Sequence, residues 1–134
     1  MSYAEIMLER AKERGSLSDI VFRLGGSGRK LPFPLDKVYV SLESTAEEGE
    51  LLLGDDEGLC TKESLTASVL VSERESAEKC REYAKRVCME LMRLDSDKRI
   101  ISVAAGKCVY DEAAAGRRTV IVFGLRPVRR SGGD

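Results

Sequence analysis

Apolar and polar residues alternate along several short stretches of the chain, as expected for strands with one buried face. Between residues 37 and 43, for example, Val38, Val40 and Leu42 occupy every second position. The last of these stretches, residues 118–126, carries apolar groups on both faces. Such a strand is either central in its sheet or covered by a partner on its second face. Alternation or a short apolar run predicts strands at residues 20–24, 37–43, 65–72, 100–110 and 118–126.

Two other segments have the periodicity of helices. Residues 3–14 predict a short N-terminal helix with acidic residues early, basic residues late and Gly15 at its end. A longer helix is predicted after Ser72-Glu-Arg-Glu75, which fits a capping box. Its apolar stripe contains Ala77, Cys80, Ala84, Val87, Cys88, Leu91 and Met92.

The order of these elements predicts an α+β fold. We expect a mostly antiparallel sheet of four to five strands, one long helix packed on one face and a short N-terminal helix. Residues 43–63 are predicted as a long loop, residues 100–110 as one strand with a bulge at Gly106, and residues 111–116 as a hairpin connection. The chain has 134 residues, so we expect a single domain over 1–126 and a disordered tail over 127–134.

The composition argues against catalysis. There is no histidine, which excludes Ser-His-Asp and Cys-His catalysis within one chain and removes the commonest general base. The cysteines at 60, 80, 88 and 108 form no C-x-x-C motif, and we expect them to be reduced, mostly buried, small hydrophobes. An enzyme using the thiol of Cys60, placed in the predicted loop, would lack a histidine partner. We therefore expect no enzyme, no cofactor and no metal.

Charge is distributed unevenly, although 34% of residues are charged and the net charge is only −1. Residues 43–63 contain eight acidic residues and one lysine, a net charge of −7, so the other residues carry +6. This segment is interpreted as a solvated loop, as a cation site at Asp55-Asp56, or as an acidic arm that meets a basic surface of a neighbouring subunit. The solvated loop is favoured over the cation site, because no EF-hand spacing is present.

The C-terminal region is basic. Arginines lie at 117, 118, 126, 129 and 130, with no acidic residue until Asp134. They are interpreted either as solubilising charges or as contacts to phosphate or to the acidic segment of another chain. The glycines at 25, 26 and 28 are followed by Leu-Pro-Phe-Pro rather than a helix, so they do not form a phosphate loop. No apolar run is long enough to span a membrane, and the first residues do not form a signal peptide.

Several of these features occur together in one known family. Leu31-Pro-Phe-Pro-Leu35 leads into the strand Val38–Leu42, and Gly54 and Gly58 flank the acidic residues. The strand Ala67–Val71 and the long helix follow, and the chain then runs through Ile100–Val103, Gly106, Tyr110-Asp111, a short turn and Thr119–Leu125. Over residues 31–126 this order resembles the small tail terminator (tail completion) proteins of long-tailed phages and prophages.

The resemblance implies an assembly factor that caps a growing tail tube as a homo-hexameric ring and presents a surface to the head connector, with DNA only as passing cargo. It implies action in the host cytoplasm during assembly and then in the virion tail. Our candidate interface residues are Asp55, Asp56, Glu57, Arg117, Arg118 and Arg126. The alternative is a small α+β binding or regulatory module that contacts nucleic acid through its C-terminal arginines.

Overall fold

The fold is derived from a computed structural model that describes residues 2–14, 19–25, 31–32, 34–50 and 59–126, with 47–50 and 59–62 described as backbone. It is α+β, as predicted. The elements are α1 (Tyr3–Lys12), β1 (Ile20–Leu24), β2 (Val38–Glu50), β3 (Leu59–Ser72), α2 (Ala77–Leu94), β4 (Ile100–Ala105), β5 (Val109–Asp111) and β6 (Gly116–Leu125).

The strands form one sheet in the order β1-β2-β3-β6-β4, and β5 also pairs with β6. The β1–β2 pair is parallel, and every other pair is antiparallel. The mostly antiparallel sheet, the 18-residue helix and the short N-terminal helix are therefore confirmed. The sheet has six strands rather than four to five, because the predicted strand over 100–110 is divided into β4 and β5.

The core lies between one face of the sheet and the two helices. Alternate residues of the central strands point into it and are essentially inaccessible to solvent. Helix α1 contributes Met7, and α2 contributes Val87 and Leu91, at the spacing of a single helical stripe. The fully buried strand residues are Val40, Leu42, Leu65, Ala67, Val69 and Phe123.

Helix α2 begins later than predicted. Its N-cap is Ser76, whose hydroxyl accepts a hydrogen bond from the backbone N–H of Lys79 at 3.1 Å. The predicted capping box at 72–75 is wrong, since Ser72 ends β3 and residues 73–75 form the turn into the helix. The predicted apolar stripe is right at Cys80, but Met92 is 43% exposed and lies outside the core.

Strands β2 and β3 are longer than predicted, so the interpretation of residues 43–63 as a loop is wrong over 43–50 and 59–63, while 51–58 lie outside the described residues. The two strands pair continuously from Tyr39 with Leu70 to Glu50 with Leu59. Thr45 and Ala46 are already exposed. Backbone pairing between two strands does not require that one face be buried. Without a buried face, this part of the hairpin lacks the alternation of apolar and polar residues from which strands are predicted.

The C-terminal strands differ from the prediction in one detail. The register shift in the β4–β6 pair lies between Ile100 and Ser102, not at the predicted Gly106. Gly106 follows β4, and its N–H donates to the carbonyl of Val120 at 2.8 Å. The turn predicted between β5 and β6 is confirmed at residues 112–115.

Strand β6 has neighbours on both sides. Of the two arrangements predicted for it, a central strand or a strand covered by a partner on its second face, the structure shows the first. It pairs with β3 on one side and with β4 and β5 on the other. Ile121, Phe123 and Leu125 are buried beneath the helices, whereas Val122 on the opposite face is 39% exposed. Within the described part of the chain, Val122 on the second face is therefore not covered, while Val120 is partly buried.

A carboxylate at the end of α2 joins three elements. Asp95 is 8% exposed and accepts hydrogen bonds from the hydroxyl of Tyr3 and from the N–H groups of Arg99 and Ile100, the latter two at 3.0 and 2.9 Å. It thereby links α1, the end of α2 and the start of β4. Burial alone raises the pKa of Asp95, but the hydrogen bond from Tyr3 and those from the backbone outweigh it, so the pKa is lowered.

Replacement of Asp95 by alanine tests this junction. Asp95→Ala leaves buried donors without an acceptor, so we expect the free energy of unfolding to fall by about 1–3 kcal/mol. Asp97→Ala removes only the exposed ion pair with Arg10 and should cost less than about 1 kcal/mol. Because the folded pKa of Asp95 is lowered, its stabilisation is complete above the unfolded pKa and is lost as pH falls through the folded value. Urea titrations from pH 7 to pH 3 measure both effects; equal losses in the two variants would contradict the role of Asp95.

Gly116 is required by close packing at the start of β6. A Cβ atom there would lie 2.4 Å from the carbonyl oxygen of Val71 and 2.8 Å from Leu35 Cδ1. We expect Gly116→Ala to lower the free energy of unfolding by about 1–3 kcal/mol through overpacking. Gly106→Ala is the matched control, because the nearest atom to its Cβ, the Val120 oxygen, is 3.5 Å away. Chemical denaturation of both variants checks this, and equal stability would show that the β3–β6 pair relaxes freely.

Candidate interaction surface

The two helices cover only part of the sheet. Helix α1 packs on β1 and β2, and α2 packs on β3 and β6. Strand β4 lies beyond them at the edge of the sheet, and its residues 101–105 are all exposed. The helix layer is therefore incomplete above β4 and β5.

The uncovered strands carry large apolar side chains. We define the edge patch as Ile101, Val103, Val109, Tyr110 and Val122, whose exposed fractions range from 39% to 60%. Val103 lies opposite Phe123 on the helix-covered face, whereas Val122 lies on the other face, so the patch wraps around the edge. Large exposed apolar residues along a sheet edge are typical of a protein–protein contact.

One flank of α2 extends the apolar surface. Arg86 and Glu90, on the flank towards α1, are held by ion pairs with Asp19 and Arg14 at 2.6 and 2.9 Å. The helical rotation of 100° per residue places Cys88 and Met92 on the opposite flank, towards β4. Cys88 is partly buried and Met92 is 43% exposed.

The backbone of β4 is also available for pairing. Among the described residues, β4 pairs with β6 alone. Because the N–H of Gly106 points towards β6, the alternation of an extended chain directs the N–H and carbonyl of Ala105 away from it. A row of unpaired backbone groups next to exposed apolar side chains can accept another strand.

Lysines flank this edge. Lys98 precedes β4 and Lys107 follows it, and both are exposed. No described residue forms an ion pair with either of them, whereas Arg99 between them is held by Glu63 at 2.9 Å. The ends of the free edge are therefore positively charged.

The arginines predicted as interface residues do not form one cluster. Arg118 pairs with Asp111 at 2.7 Å and donates to the hydroxyl of Ser68 at 2.6 Å, while Arg117 donates from Nε to the carbonyl of Glu75 at 3.0 Å. Arg126 lies at the far end of β6, where its N–H donates to the carbonyl of Arg99 at 2.7 Å. The acidic candidates Asp55, Asp56 and Glu57 lie outside the described residues.

Sequence reasoning missed the edge patch. The stretch from Ile100 to Ala105 contains no charged residue, although edge strands commonly carry lysine to prevent association. The lack of charged residues indicates a contact surface only if β4 is known to lie at the edge of the sheet. The alternation of apolar and polar residues does not reveal the order of the strands.

The structure describes the side chains of three cysteines, Cys80, Cys88 and Cys108, and only the backbone of Cys60. The placement of Cys60 in a loop is wrong, because it pairs with Gly49 within the β2–β3 hairpin. Cys80 is buried, and burial is the main cause that raises the pKa of its thiol to about 11; a hydrogen bond with Thr119 lowers the pKa and one with Cys108 raises it. In the described ranges, no cluster of three or more acidic or cysteine side chains is arranged to hold a metal ion. Within those ranges, no helix combines the length and apolarity needed to cross a membrane.

The thiol of Cys80 should be inert. Because burial and the raised pKa both suppress the thiolate, we expect iodoacetamide to modify native Cys80 at least about 100-fold more slowly than the same residue in urea-unfolded chain. Mass spectrometry of digests at pH 8 measures this. The partly exposed Cys88 is the internal comparison, and Cys80 labelling at the unfolded rate would contradict the packing of α2 on β6.

In comparisons with known proteins, neither a protein-family model nor a curated protein matches the chain.

Proposed function

We propose that this chain is a virion assembly protein of a long-tailed phage or prophage, which caps the tail tube as a homo-oligomeric, hexameric ring and joins it to the head. The observation that carries the proposal is the uncovered edge patch beside the unpaired backbone of β4. A ring subunit needs such a surface, because each copy must bury part of itself against a neighbour. The order of motifs over residues 31–126 supports the specific family.

The rest of the molecule is consistent with assembly rather than catalysis. A depression on α2 is lined by charged side chains of both signs together with Met89. The chain has no histidine, and the buried Cys80 lacks the environment of a nucleophile. Partners under this proposal are further copies of the chain, the tail tube and the head connector, with DNA passing through the ring.

The nucleic-acid alternative has weaker support. It relied on the arginines near the C-terminus, but Arg118 is paired with Asp111 and Arg117 is bound to a backbone carbonyl. Phosphate binding by Arg118 would require breaking its contacts with Asp111 and Ser68, whereas Arg117 is engaged only through Nε. Lys98 and Lys107 are exposed and, among the described residues, form no ion pair, but they lie at the ends of β4 rather than near the C-terminus.

Binding to tail tubes tests the proposal. The chain should co-sediment with tubes assembled from the tail-tube protein encoded in the same genome, and electron microscopy should show it at tube ends. Val103→Asp places a charge in the edge patch, and we expect it to weaken self-association and tube capping at least about tenfold. Met89→Asp, on α2 and more exposed than Val103 (60% against 42%), is the control and should bind as the wild type does. Tubes that remain uncapped at a large excess of the chain would overturn the proposed function.

A further inference from the structure

Among the residues that the structure describes, β1 and β4 each pair on one side only, so the sheet has two edges, and their directions are compatible. Strand β1 is parallel to β2, and three successive antiparallel steps lead from β2 through β3 and β6 to β4. Strand β4 is therefore antiparallel to β1. If a second copy continues the sheet with its helices on the same side, its β1 meets β4 as an antiparallel neighbour of five or six residues.

We propose that copies of this chain associate head to tail, with β4 of one copy pairing with β1 of the next. This inference rests on the proposed self-assembly and names the two surfaces that carry it. An interface between two different edges leaves a free edge at each end of the growing assembly. It therefore generates a ring if the rotation closes and a filament if it does not.

The charges at the ends of the two edges are complementary. In the antiparallel pairing, Lys107 after β4 faces Asp19 before β1 of the next copy. At the other end Lys98 faces Glu43, whose side chain lies beside Gly25 at the end of β1. Asp19 already binds Arg86 at 2.6 Å, so Lys107 would join an existing pair, whereas Glu43 is exposed.

The same charges oppose the symmetric alternative. If β4 paired with β4 of a second copy, the antiparallel arrangement would place Lys98 of each copy near Lys107 of the other. Like charges would then meet at both ends of the joint. Apolar complementarity alone permits either arrangement, so the lysines favour the head-to-tail one.

The spacing of the helix layer favours it as well. Helices α1 and α2 contact each other over strands two spacings apart, about 10 Å, which is the normal distance between packed helices. Across the head-to-tail joint, α2 and α1 of the next copy are three spacings apart, about 14 Å, a gap that Met92 and Val103 can fill. Across the symmetric joint the two α2 helices are four spacings apart, about 19 Å, a gap too wide for Met92 and Val103 to fill.

Charge exchange between copies tests the pairing. Lys98→Glu/Lys107→Glu makes both edges acidic at their ends, and Asp19→Lys/Glu43→Lys makes both edges basic. We expect each double variant alone to associate at least about tenfold more weakly than the wild type, and an equimolar mixture to recover assembly. Light scattering at low and high salt measures the mass, starting from 14.8 kDa for one copy. Circular dichroism checks folding, and Glu43→Lys alone serves if loss of the Asp19–Arg86 pair unfolds the chain.

Carbodiimide cross-linking of a mixture of ¹⁴N- and ¹⁵N-labelled wild-type chains gives a second readout, in solution and on tail tubes. We expect mixed-isotope links between Asp19 and Lys107 and between Glu43 and Lys98. Normal association of the Asp19→Lys/Glu43→Lys variant, or the absence of both links in solution and on tubes, overturns the head-to-tail pairing. Assembly with these links but without tube capping upholds the β4–β1 pairing and overturns the proposed function. Tube capping without the links upholds the proposed function and overturns the pairing.

Discussion

The incomplete cover of the sheet is the constraint on which the surface of this protein depends. Two helices can shield about four strands, because packed helices lie about as far apart as two strand spacings. Helices α1 and α2 accordingly cover β1, β2, β3 and β6 and leave β4 and β5 without a second layer. Ile100 still packs against the core, but the apolar side chains of Ile101, Val103, Val109 and Tyr110 are exposed and remain available for a neighbour. The same arrangement of two helices therefore buries one face of four strands and leaves the apolar side chains of β4 and β5 free for assembly.

The exposed edge is nevertheless held rigidly to the core. Asp95 accepts hydrogen bonds from Tyr3 of α1 and from the N–H groups that begin β4. Arg99 lies over the ring of Tyr3 and pairs with Glu63 of β3. These contacts fix the start of β4 relative to both helices, although no helix covers the strand. An edge positioned in this way can bind without first being ordered, which lowers the entropic cost of association.

Much of the fold was predictable because its signals are local. The alternation of Val38, Val40 and Leu42 and the stripe around Cys80 and Leu91 correctly indicate strand and helix. The prediction was wrong where the local pattern of apolar and polar residues does not depend on burial or on the neighbouring strands. The hairpin beyond Glu43 has no buried face to produce alternation, and Ser76 was a better cap than Ser72 because β3 continues to Ser72. The six predicted interface residues stay a prediction. Arg117 and Arg118 are neighbours in sequence but bind on different elements.

The amino-acid sequence alone determined the α+β class, the absence of histidine chemistry and the separation of charge along the chain. These properties depend on composition and on periodicity within a few turns or strands. Only the tertiary structure decided which strand lies at the edge, which apolar residues lack cover and which charges are already paired. Strand order and ion pairing join residues far apart in the chain, such as Arg99 with Glu63, and no local pattern records such partners. The surface from which a function is proposed is therefore a property of the fold.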